Sequence, residues 1–137
     1  MEYLRDTIIY KLLFAQKTLV SAVRGDFVDV DITHENYITL HFIYENPGIT
    51  QNELALLSGK DKNVIVKSVD RLESLGFASR VRSTDDRRSF CLYVTESVKK
   101  IISKYWKRLV ERQNEALSAL TEKEKHSLDE ILGKIIR

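Results

Sequence analysis

The 137-residue sequence holds one cysteine, one proline and one tryptophan, and no apolar run in it approaches the ~18 residues that would cross a bilayer. Each scarcity excludes something. Cys91 alone supports neither an internal disulfide nor a thiolate metal cluster within one chain. Set in an apolar run, it reads either as a small core or strand residue or as a redox sensor. Glu2, Arg5, Asp6 and Lys11 interrupt the N-terminal segment, which therefore lacks the apolar core of a signal peptide, and a cytoplasmic address is expected. His34, His41 and His126 are scattered, with no HExxH pair and no Cys/His cluster, so no metal is expected. On an apolar helix face, His41 reads as a satisfied core histidine rather than a ligand. Gly25, Gly48, Gly59 and Gly76 fall at the ends of periodic segments and form no phosphate-cradling GxxxxGK loop. With no cofactor motif and no nucleophile-base pair, enzymatic chemistry is not expected. Internal repeats and low-complexity segments are also lacking.

What is present is ordinary in bulk and uneven in placement. A hydrophobic content of 43% with 31% charged residues suits a single domain, or a compact core with an appended element. The net charge is +2. Between Lys60 and Phe90, however, eight basic residues face five acidic ones, and the remainder of the chain is slightly acidic. A basic middle between near-neutral arms suits a polyanion-binding centre, and equally an ordinary solvated face.

Leu4, Ile8, Leu12, Ala15, Leu19 and Val23 recur at helical spacing and predict a first helix ended by Gly25. Thr33 N-caps a second, which carries Tyr37, Ile38, Leu40, His41, Ile43 and Tyr44 and stops at ENPG, with the only proline, Pro47. Thr50 and Glu53 form a Ser/Thr-x-x-Glu capping box for a third helix, closed by Gly59. Asp61 starts a fourth, which puts Ile65, Val69 and Leu72 on one side and Asn63, Lys67, Asp70 and Ser74 on the other, with Gly76 as its C-terminal stop. Two short helices joined by a tight glycine-containing turn, the second with a polar and basic face, make a helix-turn-helix pattern. The alternating runs ASRVR and FCLYV follow as strands of a hairpin, with RSTDDRRSF at its tip. Beyond Thr95 the helical period returns through Val98, Ile102, Tyr105, Trp106 and Leu109. It restarts at Thr121 and Glu124, a second capping box, before Leu128, Ile131, Leu132, Ile135 and Ile136. The wide apolar stripes of the terminal helices have little globular body to cover them, so burial against a second copy is the simplest solution.

From about Ile32 to Glu96 the sequence resembles the MarR-type transcriptional regulators, most specifically in the wing: Gly76, Phe77, Arg80, Asp86, Arg87, Arg88 and the closing Thr95. The resemblance implies a mainly α fold with a small β-hairpin wing: a winged helix-turn-helix over 32–96, an N-terminal dimerisation helix and linker over 1–31, and C-terminal dimerisation helices over 97–137. It further implies a homodimer on a pseudo-palindromic operator in double-stranded DNA, repressing promoters until a small aromatic or phenolic effector binds; no membrane is involved. Arg88 matches the family's wing arginine, which would enter the minor groove. Asp86 would hold a guanidinium or cap amides of the turn. Lys62, Lys67 and Arg71 suit phosphates. Asn63 suits a base edge, preferably adenine, while Val64 or Val66 meets a thymine methyl or packs against the neighbouring helix. Thr50 and Gln51 at the start of the third helix, with Arg82 and Arg87 in the wing, complete the expected DNA-binding set. Relatives often carry hydroxyl residues in place of Val64 and Val66, and a proline in the stretch Arg82, Ser83, Thr84, so their base preferences do not transfer. The alternative from another class is a winged-helix protein-interaction module whose basic face meets an acidic partner.

Overall fold

The computed structural model describes residues 2–24 and 31–136. Among them the elements run α1 (Ile8–Val23), α2 (His34–Glu45), β1 (Ile49–Thr50), α3 (Gln51–Ser58), α4 (Lys62–Ser74), β2 (Ala78–Arg82), β3 (Phe90–Val94), α5 (Val98–Ala116) and α6 (Glu122–Ile136). They fall into two compact units, Arg24–Trp106 and the pair Met1–Val23 with Lys107–Arg137.

Local chemistry explains where the helices begin. Thr33 Oγ1 accepts from the Asn36 amide (3.0 Å) and Asn36 Oδ1 from the Thr33 amide (3.2 Å), a reciprocal capping box. Thr121 and Glu124 make the same exchange at 3.0 and 3.1 Å. At Thr50 only half of the expected box forms: its hydroxyl accepts from the Glu53 amide at 3.2 Å. Thr50 is also the last residue of β1, opposite Cys91, so the sheet shares this end of α3. The first stripe does not make one helix from Leu4. A 3₁₀ turn over Leu4–Asp6 precedes α1, because the Thr7 hydroxyl donates back to the Leu4 carbonyl (2.7 Å) while accepting from the Tyr10 amide (3.2 Å). Gly25, expected to end the helix, lies outside the described residues.

The winged unit is built on a buried cluster. Tyr37, Leu40 and Ile43 of α2, Leu54 of α3, Ile65, Val69 and Leu72 of α4, and Leu92 of β3 are fully buried. Burying one such aliphatic side chain contributes roughly 1.5–3 kcal/mol, so the fourth helix is held by its apolar side and keeps the polar one free. Val98, Ile102 and Tyr105 are buried too, and this compact unit runs to Trp106. The Tyr37 and Tyr105 rings meet edge-on at 6.0 Å. His41 sits beside them with Nδ1 3.0 Å from the Tyr37 hydroxyl and Nε2 3.0 Å from Glu45 Oε1, both ring nitrogens partnered. The hairpin adds an unexpected third strand, giving the antiparallel order β1-β3-β2, with Ile49 opposite Leu92 and Arg80 opposite Leu92 on its other side.

Candidate nucleic-acid interface

Two turns set the interface. Gly59 takes the left-handed conformation (φ +68°) that ends α3, and the Asp61 carboxylate then accepts from the Asn63 amide at 2.8 Å to open α4. At the far end, Gly76 (φ +75°) completes a Schellman motif. The Phe77 amide donates to the Leu72 carbonyl (2.9 Å) and the Gly76 amide to Glu73 (3.0 Å). Thr95 locks the strand that returns, its hydroxyl donating to the Gly76 carbonyl at 2.8 Å and its amide to Phe77 at 3.0 Å. The chain therefore passes from α4 into the wing through the short turn 75–77.

On α4 the exposed face carries Lys62, Asn63, Val64, Lys67, Asp70 and Arg71. Among the described residues the Lys62 and Lys67 ammonium groups have no hydrogen-bond or ion-pair partner. Arg71 differs, because its guanidinium donates to Asp31 Oδ2 (2.5 Å) and to the Asp31 carbonyl (3.1 Å). The two valines part company: Val64 is 43% exposed, and Val66 is half-buried.

The wing tip is tied by its own side chains. Ser83 Oγ accepts from the amides of Asp85 (3.2 Å) and Asp86 (3.4 Å), and Asp86 Oδ1 accepts from the Arg88 amide at 2.9 Å. Of the two roles open to Asp86, it takes the amide cap. Arg82 folds back, donating to the Arg87 carbonyl (3.0 Å) with its guanidinium 5.4 Å from the Phe90 ring centre. Arg87 and Arg88 are exposed, and their guanidiniums have no partner among the described residues.

Sequence reasoning placed Arg80 on the first strand but not its role. Its guanidinium reaches Gln51, Asp70 and Glu73, so Gln51 serves the scaffold with its side-chain oxygen. Thr50 likewise spends its hydroxyl on the α3 cap. Nothing in the spacing announces the Arg80 cluster, because its members come from three elements. His34, at the first turn of α2, is held below its ordinary pKa mainly by burial, with the Arg24 and Lys60 charges assisting and Glu35 opposing. No helix of the described residues is long and apolar enough to cross a membrane.

A MarR family model matches residues 30–89, a stretch that includes α2, α3, α4, β2 and the wing tip. YybA of Bacillus subtilis strain 168, an uncharacterized HTH-type transcriptional regulator, is 29% identical over 135 residues, covering 95% of this chain and 87% of that protein. A putative transcriptional regulatory protein for the hcr operon of Thauera aromatica is 34% identical over 107 residues, 77% of this chain and 64% of that protein, so the chain spans less than two thirds of its length. The crystal structure of MarR superposes with a TM-score of 0.86 at 25% identity, covering 99% of this chain and 93% of that one. Over its winged helix-turn-helix the chain is similar to the MarR family of transcriptional regulators. Its winged helix-turn-helix is the MarR fold, which also matches a mutant MarR from E. coli complexed with operator DNA, at a TM-score of 0.84, 22% identity and full coverage of both chains.

Proposed function

We propose that this chain is a homodimeric, sequence-specific DNA-binding repressor, relieved when a small aromatic or phenolic compound binds. The observation that carries the reading is a division among the cations of the winged unit. Arg71, Arg80 and Arg82 are tied into the fold. Lys62, Lys67, Arg87 and Arg88 stand exposed on α4 and the wing tip without a partner among the described residues. Anchored arginines shape the surface, and unanchored cations are available to a polyanion.

In this reading α4 enters the major groove. Lys62 and Lys67 neutralise phosphates, each releasing counterions and adding to the salt dependence of binding. Asn63 addresses a base edge, and Val64 is the valine exposed enough to meet a thymine methyl. Arg71 contributes a phosphate contact only by leaving Asp31. Arg88 extends from the wing into the minor groove, where a narrow A·T-rich segment concentrates negative potential. The helices of 1–31 and 97–137 supply the contacts between two copies. A relative of this fold complexed with operator DNA supports the docking.

The test is a gel shift with the DNA upstream of the chain's own gene, across a salt series. Retention that prefers that sequence and falls steeply with salt is the expected result. No retention at low salt would overturn it and leave the protein-interaction reading. For the effector, calorimetry is expected to find that operator DNA weakens its binding by the factor by which the effector weakens DNA, roughly 5- to 150-fold for typical coupling.

A further inference from the structure

Arg80 lies on β2, yet every arm of its guanidinium leaves the wing. Nε donates to Gln51 Oε1 at the start of α3 (3.0 Å), Nη1 to Glu73 Oε1 (3.2 Å) and Nη2 to Asp70 Oδ1 (2.6 Å), the last two on α4. Its side chain is 16% exposed, against 60% for Asp70 and 45% for Glu73. A planar fork presents its donors in fixed directions, so three simultaneous acceptors determine its orientation as a lysine's single ammonium could not. One group therefore joins the first helix of the helix-turn-helix, the recognition helix and the wing. Ala78 and Leu92 bury the base of the sheet independently of it. What Arg80 adds is the direction of the wing rather than its existence.

We propose that Arg80 is a positioning residue for DNA recognition. It holds the wing at a set offset from α4, so that Arg88 meets the minor groove a fixed number of base pairs from the bases addressed by Asn63 and Val64. The inference rests on the DNA-binding reading above. Losing the clamp costs register between the two contacts, while the preferences of α4 itself remain.

The experiment uses duplexes selected from a random pool by the parent protein, in three forms. One is unaltered, one has the A·T flank under the wing replaced by G·C, and one has a single base pair inserted between that flank and the core read by α4. For the parent, each alteration is expected to weaken binding roughly fivefold or more, as a mismatched base pair does. For Arg80→Ala and Arg80→Lys, with circular dichroism reporting the fold, both penalties are expected to shrink to roughly twofold or less, with preference inside the core retained. A folded Arg80→Ala that keeps the parent's penalties overturns the proposal. So does their return when Asp70→Asn and Glu73→Gln are added to Arg80→Ala, because Arg80 would then only mask two carboxylates. If Arg80→Ala does not fold, Gln51→Ala removes one arm and spares the ion pairs. Its penalties must fall below the parent's, and unchanged penalties overturn the proposal. A parent that selects no duplex sinks the DNA-binding reading as well, a failure separable from one in which parent and variants bind alike.

Discussion

Lys67 and Arg88 carry the same charge, and neither has a side-chain partner among the described residues, yet they are expected to act through different physics. An ammonium on α4 neutralises a phosphate whatever the sequence, so Lys67→Ala should weaken binding almost uniformly across operators and lower the salt slope by about one phosphate's worth, measured by fluorescence anisotropy over a salt series. Arg88→Ala should lose most on operators whose wing-side flank is A·T-rich, where the groove is narrow and strongly negative. If it binds A·T and G·C flanks with the parent's ratio, the charge at the wing tip only solvates a turn. A second residue-level prediction concerns His34. Burial lowers its pKa in the fold, so the unfolded chain takes up the proton first as pH falls. The stability tied to neutral His34 is full above its unfolded value near 6.5 and is lost as pH drops through the lower folded value. Thermal melts between about pH 7.5 and 5.5 should show the parent losing more stability than His34→Gln does.

At the scale of elements, Gly76 is where a helix becomes a wing. Open space surrounds the position a Cβ would take there, but φ is +75°, so Gly76→Ala should cost about 1–2 kcal/mol through backbone strain alone. Chemical denaturation is expected to register this as a lower midpoint with an unchanged slope. Such boundaries were legible in the sequence. Both strands of the wing, the Asp61 cap and the apolar side of α4 follow from local chemistry and periodicity, which depend on neighbours within one element. The two-residue strand β1 escaped because its only signal is a partner in β3, far along the chain. Arg82 is legible as a cation of the wing, and not as a group that turns back to the Arg87 carbonyl and the Phe90 ring, since that depends on how the hairpin tip closes. Arg71 was legible as a cation and not as Asp31's partner, since that bond forms only when α4 meets the segment before α2. The helices and the two strands of the hairpin are set locally, whereas β1 and the assignment of a charged side chain to scaffold or to ligand depend on tertiary contacts.

For the whole molecule, the contrast between its two units argues for assembly. The winged unit has a buried core, whereas among the described residues of Met1–Val23 and Lys107–Arg137 only Val23 is buried. Ile8 is 72% exposed and Ile9 81%, and Ile131, Ile135 and Ile136 on α6 are exposed as well. Apolar helices with so little buried have no driving force to hold their arrangement unless something removes those faces from water. A second copy offers the same faces to each, which a two-fold contact can satisfy reciprocally. The expected species at micromolar concentration is therefore a dimer, with a melting temperature that rises with protein concentration because folding and association are linked. Ile135→Glu places a charge in that contact and should shift sedimentation toward monomer. The consequence for DNA distinguishes this from simple destabilisation. A two-fold dimer presents its recognition helices about one helical turn apart, roughly 10 base pairs between half-site centres. The parent should then bind a full operator far more tightly than a half-site, since the second contact is made at high effective concentration. Ile135→Glu should bind the two nearly alike while its α4 keeps the same half-site preference. A parent that sediments as a stable monomer at micromolar concentration, or that footprints a single unpaired half-site, would show that the terminal helices do some other work.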